Sequence, residues 1–227
     1  MDINNGNILC MASTPSYNPN KIIQKPNKKY WDSILENELS PLTYRCIQGL
    51  YAPGSTFKMV VAIAGIVHGF IDTNTKHFCS GKIGLGDRLY HCWKNNGHGS
   101  MNVSDAIKES CDVFFYEISK KIGIDKISKV AEDFGLGKIY DVPLPNQKKG
   151  IIPSRDWKKK KYDESWYPGE TLISAIGQGF VLTNPLQLAV MTSIIASNGK
   201  NIKPNIIKQK NDIEFEKLEK YQNAIKI

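Results

Sequence analysis

In the run YAPGSTFK, Tyr51 to Lys58, a serine and a lysine stand three residues apart where Pro53-Gly54 marks the start of a helix. That spacing puts Ser55 and Lys58 on one face of the first turn. The residues that follow, up to Phe70, are apolar around nearly the whole circumference. A lysine there meets the positive end of the helix dipole and loses its water, and both effects disfavour the ammonium. An amine that gives up its proton readily, within reach of a hydroxyl, can serve as its general base and activate a serine nucleophile without histidine. The Ser55 N–H, lying before any intrahelical acceptor, adds an oxyanion donor. The bland alternative is that Ser55 only caps the helix while Lys58 snorkels to water. The pair alone does not choose between them.

About fifty residues downstream, ESCDVFFY places Ser110 and Asp112 on either side of Cys111 at a helix start. Ser-x-x-Lys followed by Ser-x-Asn/Asp belongs, with Lys-Thr-Gly, to the motif set of serine enzymes that recognise penicillin. The five cysteines are Cys10, Cys46, Cys79, Cys92 and Cys111, and an odd number argues against a closed disulfide set. Cys79 and Cys92 bracket a Gly- and His-rich stretch, His98 follows six residues after Cys92, and Cys111 sits inside the Ser-x-Asp element. Three thiolates and an imidazole make a closed tetrahedral zinc site of structural type. A Gly-rich segment with few apolar anchors gains most from such a clip. The rival readings are a Cys79–Cys92 disulfide and plain buried thiols. Cys10, on an apolar strand, and Cys46, just before the Ser55 turn, read as core thiols, and His68, His77 and His91 as structural.

The elements that must position these groups are mostly helical. MDINNGNILCMAST reads as strand, Asn-Asn-Gly turn and strand, so residue 1 already lies inside a hairpin and chain is expected upstream. A turn-rich loop and a polar segment with helical patches, Lys21 to Ser40, lead to the Ser55 helix. Residues 72–101 lack periodicity and read as irregular structure with short strands, an insertion that a zinc could clip. NVSDAIKESCDVFFYEISKKIG reads as one helix capped by Ser104, and IDKISKVAEDFGLG as a second that stops at Gly135 or Gly137. Val142 to Lys161 reads as a long surface excursion in which RDWKKKKY is a solvated loop. TNPLQLAVMTSIIASNG is a helix with its cap at Thr183 or Asn184, Pro185 in the first position and a stop at Asn198-Gly199. The last twenty residues are charged and weakly amphipathic. A strand pair, several helices and no βαβ rhythm make the fold class α+β.

The balance of 30 Lys+Arg against 22 Asp+Glu gives a net charge of +8 over 227 residues, which permits attraction to nucleic acid, lipid head groups or an acidic wall polymer. Zinc-finger spacing, an RRM signature and interleaved aromatics are all missing, so nucleic acid is not the expected partner. Neither a secretory signal nor a membrane span is present, the longest apolar run, Met59 to Val67, being too short to cross a bilayer.

ILCMASTPSYNPN, YAPGSTFK, HCWKNNGHGSMNVSDAIKESCDVFFYEI, FGLGKIYDVPLP, PSRDWK and WYPGETLISAIGQGFVLTNPLQLA, in that order, resemble the transpeptidase domain of class B penicillin-binding proteins. GHGS, SCDVFFY and WYPGET resemble the elongation type, penicillin-binding protein 2. The resemblance covers all but the last twenty residues. It implies helices around a central antiparallel sheet, no catalytic cofactor, and a D,D-transpeptidase that cross-links peptidoglycan stem peptides and is acylated by β-lactams. Ser55 would be the nucleophile, Lys58 its base, Ser110 a proton relay, and Asp112 a partner of the lysine or of the substrate amide. It also implies a zinc near Cys92, His98 and Cys111, a membrane anchor, work at the periplasmic face of the inner membrane, and a SEDS-type glycosyltransferase partner. The family's Lys-[Ser/Thr]-Gly is absent from these 227 residues, so the C-terminal strands are expected to be incomplete and the chain alone weak or inactive. A non-catalytic scaffold fragment and a β-lactam sensor or β-lactamase of the same fold are the alternative readings.

Overall fold

The Ser55 turn is a single 3-10 turn, Gly54–Phe57, that runs directly into helix α4, Lys58–Val67. The computed structural model describes residues 1–23, 27–207, 221 and 224. Its elements begin with α1 (Asn20–Ile23), α2 (Lys28–Leu35) and α3 (Arg45–Gln48) ahead of α4, and continue with strands β1 (His77–Cys79), β2 (Lys82–Leu85), β3 (Arg88–His91) and β4 (Gly99–Met101). Helices α5 (Val103–Lys108), α6 (Asp112–Ile122), α7 (Ile124–Asp133), α8 (Arg155–Tyr162), α9 (Pro168–Ala175) and α10 (Pro185–Ala196) follow. The class is α+β, with antiparallel pairing of β1 with β4 and of β2 with β3.

Helix α4 is the centre of the core because it is apolar on every side: Val60, Val61, Ala62, Ile63 and Ala64 are buried. It packs on α6 and α7, and α6 packs in turn on α9. Each fully buried Val or Ile there contributes roughly 1.5–3 kcal/mol of transfer free energy. The Ser55 turn therefore rests on a helix that is buried along most of its length. On its other side Tyr51 pairs with Thr183 through two backbone bonds of 2.8 and 2.9 Å, which anchors the turn to the segment before α10. Helix α10 starts at Asn184, whose side chain accepts from the Gln187 N–H, followed by Pro185, and it stops at Asn198, φ 55°, and Gly199 as expected.

Several expectations are corrected. The Asn-Asn-Gly turn exists, closed by the Asp2 N–H on Asn7 O, but it carries no hairpin strands. Asn7 instead pairs in parallel with Asn205, so the local alternation loses to a long-range partner, and Cys10 is exposed rather than a core thiol. The expected helix from Asn102 is two helices, broken at Ser110, and its cap is Asn102 rather than Ser104. RDWKKKKY is helix α8, not a loop: the Ser154 hydroxyl accepts from Trp157 N, and Asp163, φ 56°, ends the helix. Its Lys158 is 2% exposed and ion-paired to Glu170 and Glu164, a burial that a run of like charges conceals. Nor does the excursion lie wholly on the surface. Val142 and Ile152 are buried, and the fully buried Gln187 amide donates to Lys138 O and Lys149 O. The charged C-terminal segment, 208–227, lies outside the described residues apart from Tyr221 and Ala224.

Candidate active site

Ser55, Lys58, Ser110 and Asp112 converge from two helix starts. Ser55 sits in the 3-10 turn and Lys58 opens α4, while Asp112 opens α6 and Ser110 lies in the break before it. The Lys58 ammonium has three N–H donors. One goes to Asp112 Oδ1 at 2.6 Å, one to Ser110 Oγ at 3.0 Å and one to the Ser110 carbonyl at 2.9 Å. The Ser110 hydroxyl in turn donates to Ser55 Oγ at 2.9 Å. Among the described residues Lys58 makes no hydrogen bond to Ser55. The sequence reading has Lys58 act directly on Ser55 and Asp112 bond either the lysine or the substrate amide. The structure shows a lysine held by a carboxylate and linked to Ser55 through Ser110.

That link depends on backbone geometry. Ser110 has φ 54°, the left-handed region that costs a non-glycine residue about 1–2 kcal/mol. The conformation turns both the Ser110 carbonyl and its hydroxyl toward Lys58. Behind Ser55, Gly54 N donates to Gly177 O at 2.9 Å, and a Cβ on Gly177 would fall 2.2 Å from Gly54 O. Gly177, φ 69°, is therefore required as glycine both by conformation and by space. The Gly177 end of the Gly-Gln-Gly run thus backs the Ser55 turn. Ser55, Ser110 and Asp112 open on a cleft of about 610 Å³ lined also by His91, Trp93, Tyr116, Ile176 and Gln178, with Lys58 buried behind them. A cavity of about 560 Å³ beside Arg155 and Trp166 contains none of the four motif residues, so the chemistry belongs to the first.

Residues 1–227 match the family described as the penicillin binding protein transpeptidase domain. The chain belongs to that family. The peptidoglycan D,D-transpeptidase MrdA of Acinetobacter baumannii is 37% identical over 210 residues, covering 92% of this chain and 31% of that protein. MrdA of Escherichia coli strain K12 is 35% identical over 200 residues, covering 87% and 32%. The chain thus spans about a third of the length of these curated relatives. Among solved structures, penicillin-binding protein 2 of Helicobacter pylori superposes with a TM-score of 0.93 at 34% identity, covering all of this chain and 43% of that one. The chain is thus similar in sequence to MrdA and in structure to penicillin-binding protein 2.

Cys79, Cys92, His98 and Cys111 also come together, with all four ligand atoms within 4.8 Å of one another. All five cysteines are free thiols, so the Cys79–Cys92 disulfide is not formed. His98 Nδ1 lies 3.6 Å from Cys79 Sγ and 3.5 Å from Cys92 Sγ. A tetrahedral zinc with bonds of about 2.3 Å to sulfur and about 2.0 Å to nitrogen has sulfur–nitrogen edges of about 3.5 Å. Burial pushes the Cys111 thiol up, with Cys79 and Cys92 adding to it against the Phe114 N–H. Three thiols crowded in a buried space fit a cation. Sequence reasoning missed Trp93, which stands between Cys92 and His98 and bonds Asp112; its position inside HCWKNNGHG was the available signal.

Proposed function

We propose that the chain is the acylating part of a peptidoglycan D,D-transpeptidase of the elongation type. What carries the reading is the continuous path from Asp112 through Lys58 and Ser110 to Ser55. Ser55 attacks the D-Ala-D-Ala carbonyl and displaces the terminal D-Ala, and the acyl group passes to an amine of a neighbouring stem. The ammonium has all three hydrogens committed, so Lys58 accepts a proton only after losing one. With the amine neutral, the two hydroxyls reverse: Ser55 donates to Ser110, and Ser110 to Lys58. The Oγ–Oγ distance of 2.9 Å serves either direction. On collapse of the tetrahedral intermediate the same relay delivers the proton to the leaving amine.

We also infer that Cys79, Cys92, His98 and Cys111 hold a structural zinc. Bound there it would clip residues 72–101 to the start of α6, and no catalytic step passes through it. By likeness to its relatives, the domain works at the periplasmic face of the inner membrane on an anchor outside the described residues; among those residues no helix is long and apolar enough to cross a membrane. A SEDS-type glycosyltransferase fits as partner. A penicillin-binding protein 2 of Helicobacter pylori has been solved in complex with MreC, which makes a protein of that kind a second candidate. Incubation with a chromogenic β-lactam tests the reading: slow opening of about one β-lactam per chain, with no further turnover, supports it, whereas no reaction would favour a non-catalytic scaffold and many turnovers a hydrolase.

A further inference from the structure

Asp112 divides its carboxylate. Oδ1 holds Lys58, and Oδ2 accepts from the Trp93 main-chain N–H at 3.0 Å. The same tryptophan reaches the other end of the Ser-Cys-Asp element: its indole N–H is shared between the carbonyls of Glu109 and Ser110, each at 3.1 Å. The Ser110 carbonyl is the one that Lys58 also grips. Trp93 therefore bonds both sides of Cys111, across the turn in which Ser110 is held at φ 54°.

Its other contacts face the thiol–imidazole cluster. Trp93 follows Cys92 directly, and its ring meets the His98 ring edge-on with centroids 5.3 Å apart. Cys111, the residue enclosed by the Trp93 bonds, is itself a member of that cluster. Trp93 is 62% exposed, so core packing does not account for a tryptophan here. A phenylalanine would keep the ring contact and lose the indole donor. An unbraced left-handed serine relaxes toward ordinary backbone angles, and that rotation would carry its hydroxyl away from the line between Lys58 and Ser55.

We propose that Trp93 is the positioning residue that couples the Cys79, Cys92, His98 and Cys111 cluster to the nucleophile. It fixes the Ser110 turn, and the order of that turn follows the state of the cluster. The acylation part of this inference rests on the function proposed above; the backbone part does not.

The experiment is a double-mutant cycle on the full chain with Trp93→Phe, His98→Ala and the pair, read by amide hydrogen exchange over residues 109–112. Each single change is expected to speed exchange by about fivefold or more, the scale of one hydrogen bond lost. In the pair the effects combine to less than their product, because both act on one link. Exchange unchanged in Trp93→Phe, or multiplicative in the pair, overturns the proposal. In parallel, the rate of Ser55 acylation by a fluorescent penicillin at saturating reagent is expected to fall about fivefold in Trp93→Phe, while the half-saturating concentration moves less than twofold. The reverse split, with only the half-saturating concentration changed, would make Trp93 a substrate contact and overturn the positioning role. A wild-type chain that does not label at Ser55 counts against the proposed function, and the exchange cycle still decides this inference.

Discussion

Asp112 Oδ1 lies 2.6 Å from Lys58 Nζ, and the lysine side chain is 2% exposed while the aspartate is 14% exposed. A charge so buried keeps its place only with its partner. Asp112→Ala leaves the ammonium uncompensated, and breaking a buried pair in this way costs about 3–5 kcal/mol. For a chain of this size that is a fall in melting temperature of about 6–20 °C. Asp112→Asn keeps an acceptor oxygen and is expected to lose less. Calorimetry on the two variants checks the order; equal melting temperatures for Asp112→Ala and the parent would remove Asp112 from its role.

Ser110 supplies the hydroxyl between Lys58 and Ser55, and its backbone is left-handed. Ser110→Ala keeps the strain and removes the relay. Ser110→Gly relieves the strain and removes it too. Both are expected to slow penicillin acylation on the order of a hundredfold or more, while Ser110→Gly is the more stable of the two by about 1 kcal/mol. A Ser110→Ala chain that acylates at the parent rate would show that Lys58 reaches Ser55 without it.

The thiol–imidazole cluster gives a metal prediction. Protein purified without chelator is expected to carry about one zinc per chain by elemental analysis. Stripping it should lower the melting temperature on the order of 10 °C, because ligand binding to the native state alone is folding free energy. Cys111→Ser should weaken retention, whereas Cys46→Ser, whose thiol bonds Ala12 O away from the cluster, should not. A metal-free chain with unchanged melting temperature contradicts the zinc assignment.

Alkaline stability follows from groups that fold in their protonated form. Burial raises the Tyr140 hydroxyl above its ordinary value of 10.0, and burial with Asp112 nearby raises Tyr116. At Lys158 desolvation pulls down, but Glu170 and then Glu164 outweigh it and hold the ammonium above 10.5. A raised folded value means that the contribution is complete below the unfolded value and is lost as pH rises past it. Unfolding free energies from urea titration should therefore be flat near pH 8 and fall from about pH 10 upward, at about 1.4 kcal/mol per pH unit for each tyrosine that deprotonates only on unfolding. Tyr140→Phe should flatten that slope, and an unchanged slope would exclude Tyr140 as a source.

That Ser55, Lys58, Ser110 and Asp112 meet is legible in the sequence because each pair lies at a helix start with its own turn signals. The relay order is not legible, since it depends on one left-handed φ at Ser110 that no local pattern announces. Lys158 reads as one of four consecutive lysines because the two glutamates that bury it come from α9 and the loop before it. The N-terminal hairpin fails for the same kind of reason: Asn7 finds its partner in Asn205, 198 residues away. Helix α10, by contrast, has its cap, its proline and its stop within the segment itself, and its bounds are close to those read from sequence.

The central claim is that Ser55 is the nucleophile and that Lys58 drives it. Intact-mass spectrometry of the chain with excess penicillin G, followed by peptide mapping, measures this most directly. The expected result is slow growth of a single adduct, mapped to Ser55, absent in Ser55→Ala and slowed by orders of magnitude in Lys58→Met. An adduct mapped to another residue, or one that forms unchanged in Ser55→Ala, would contradict the account.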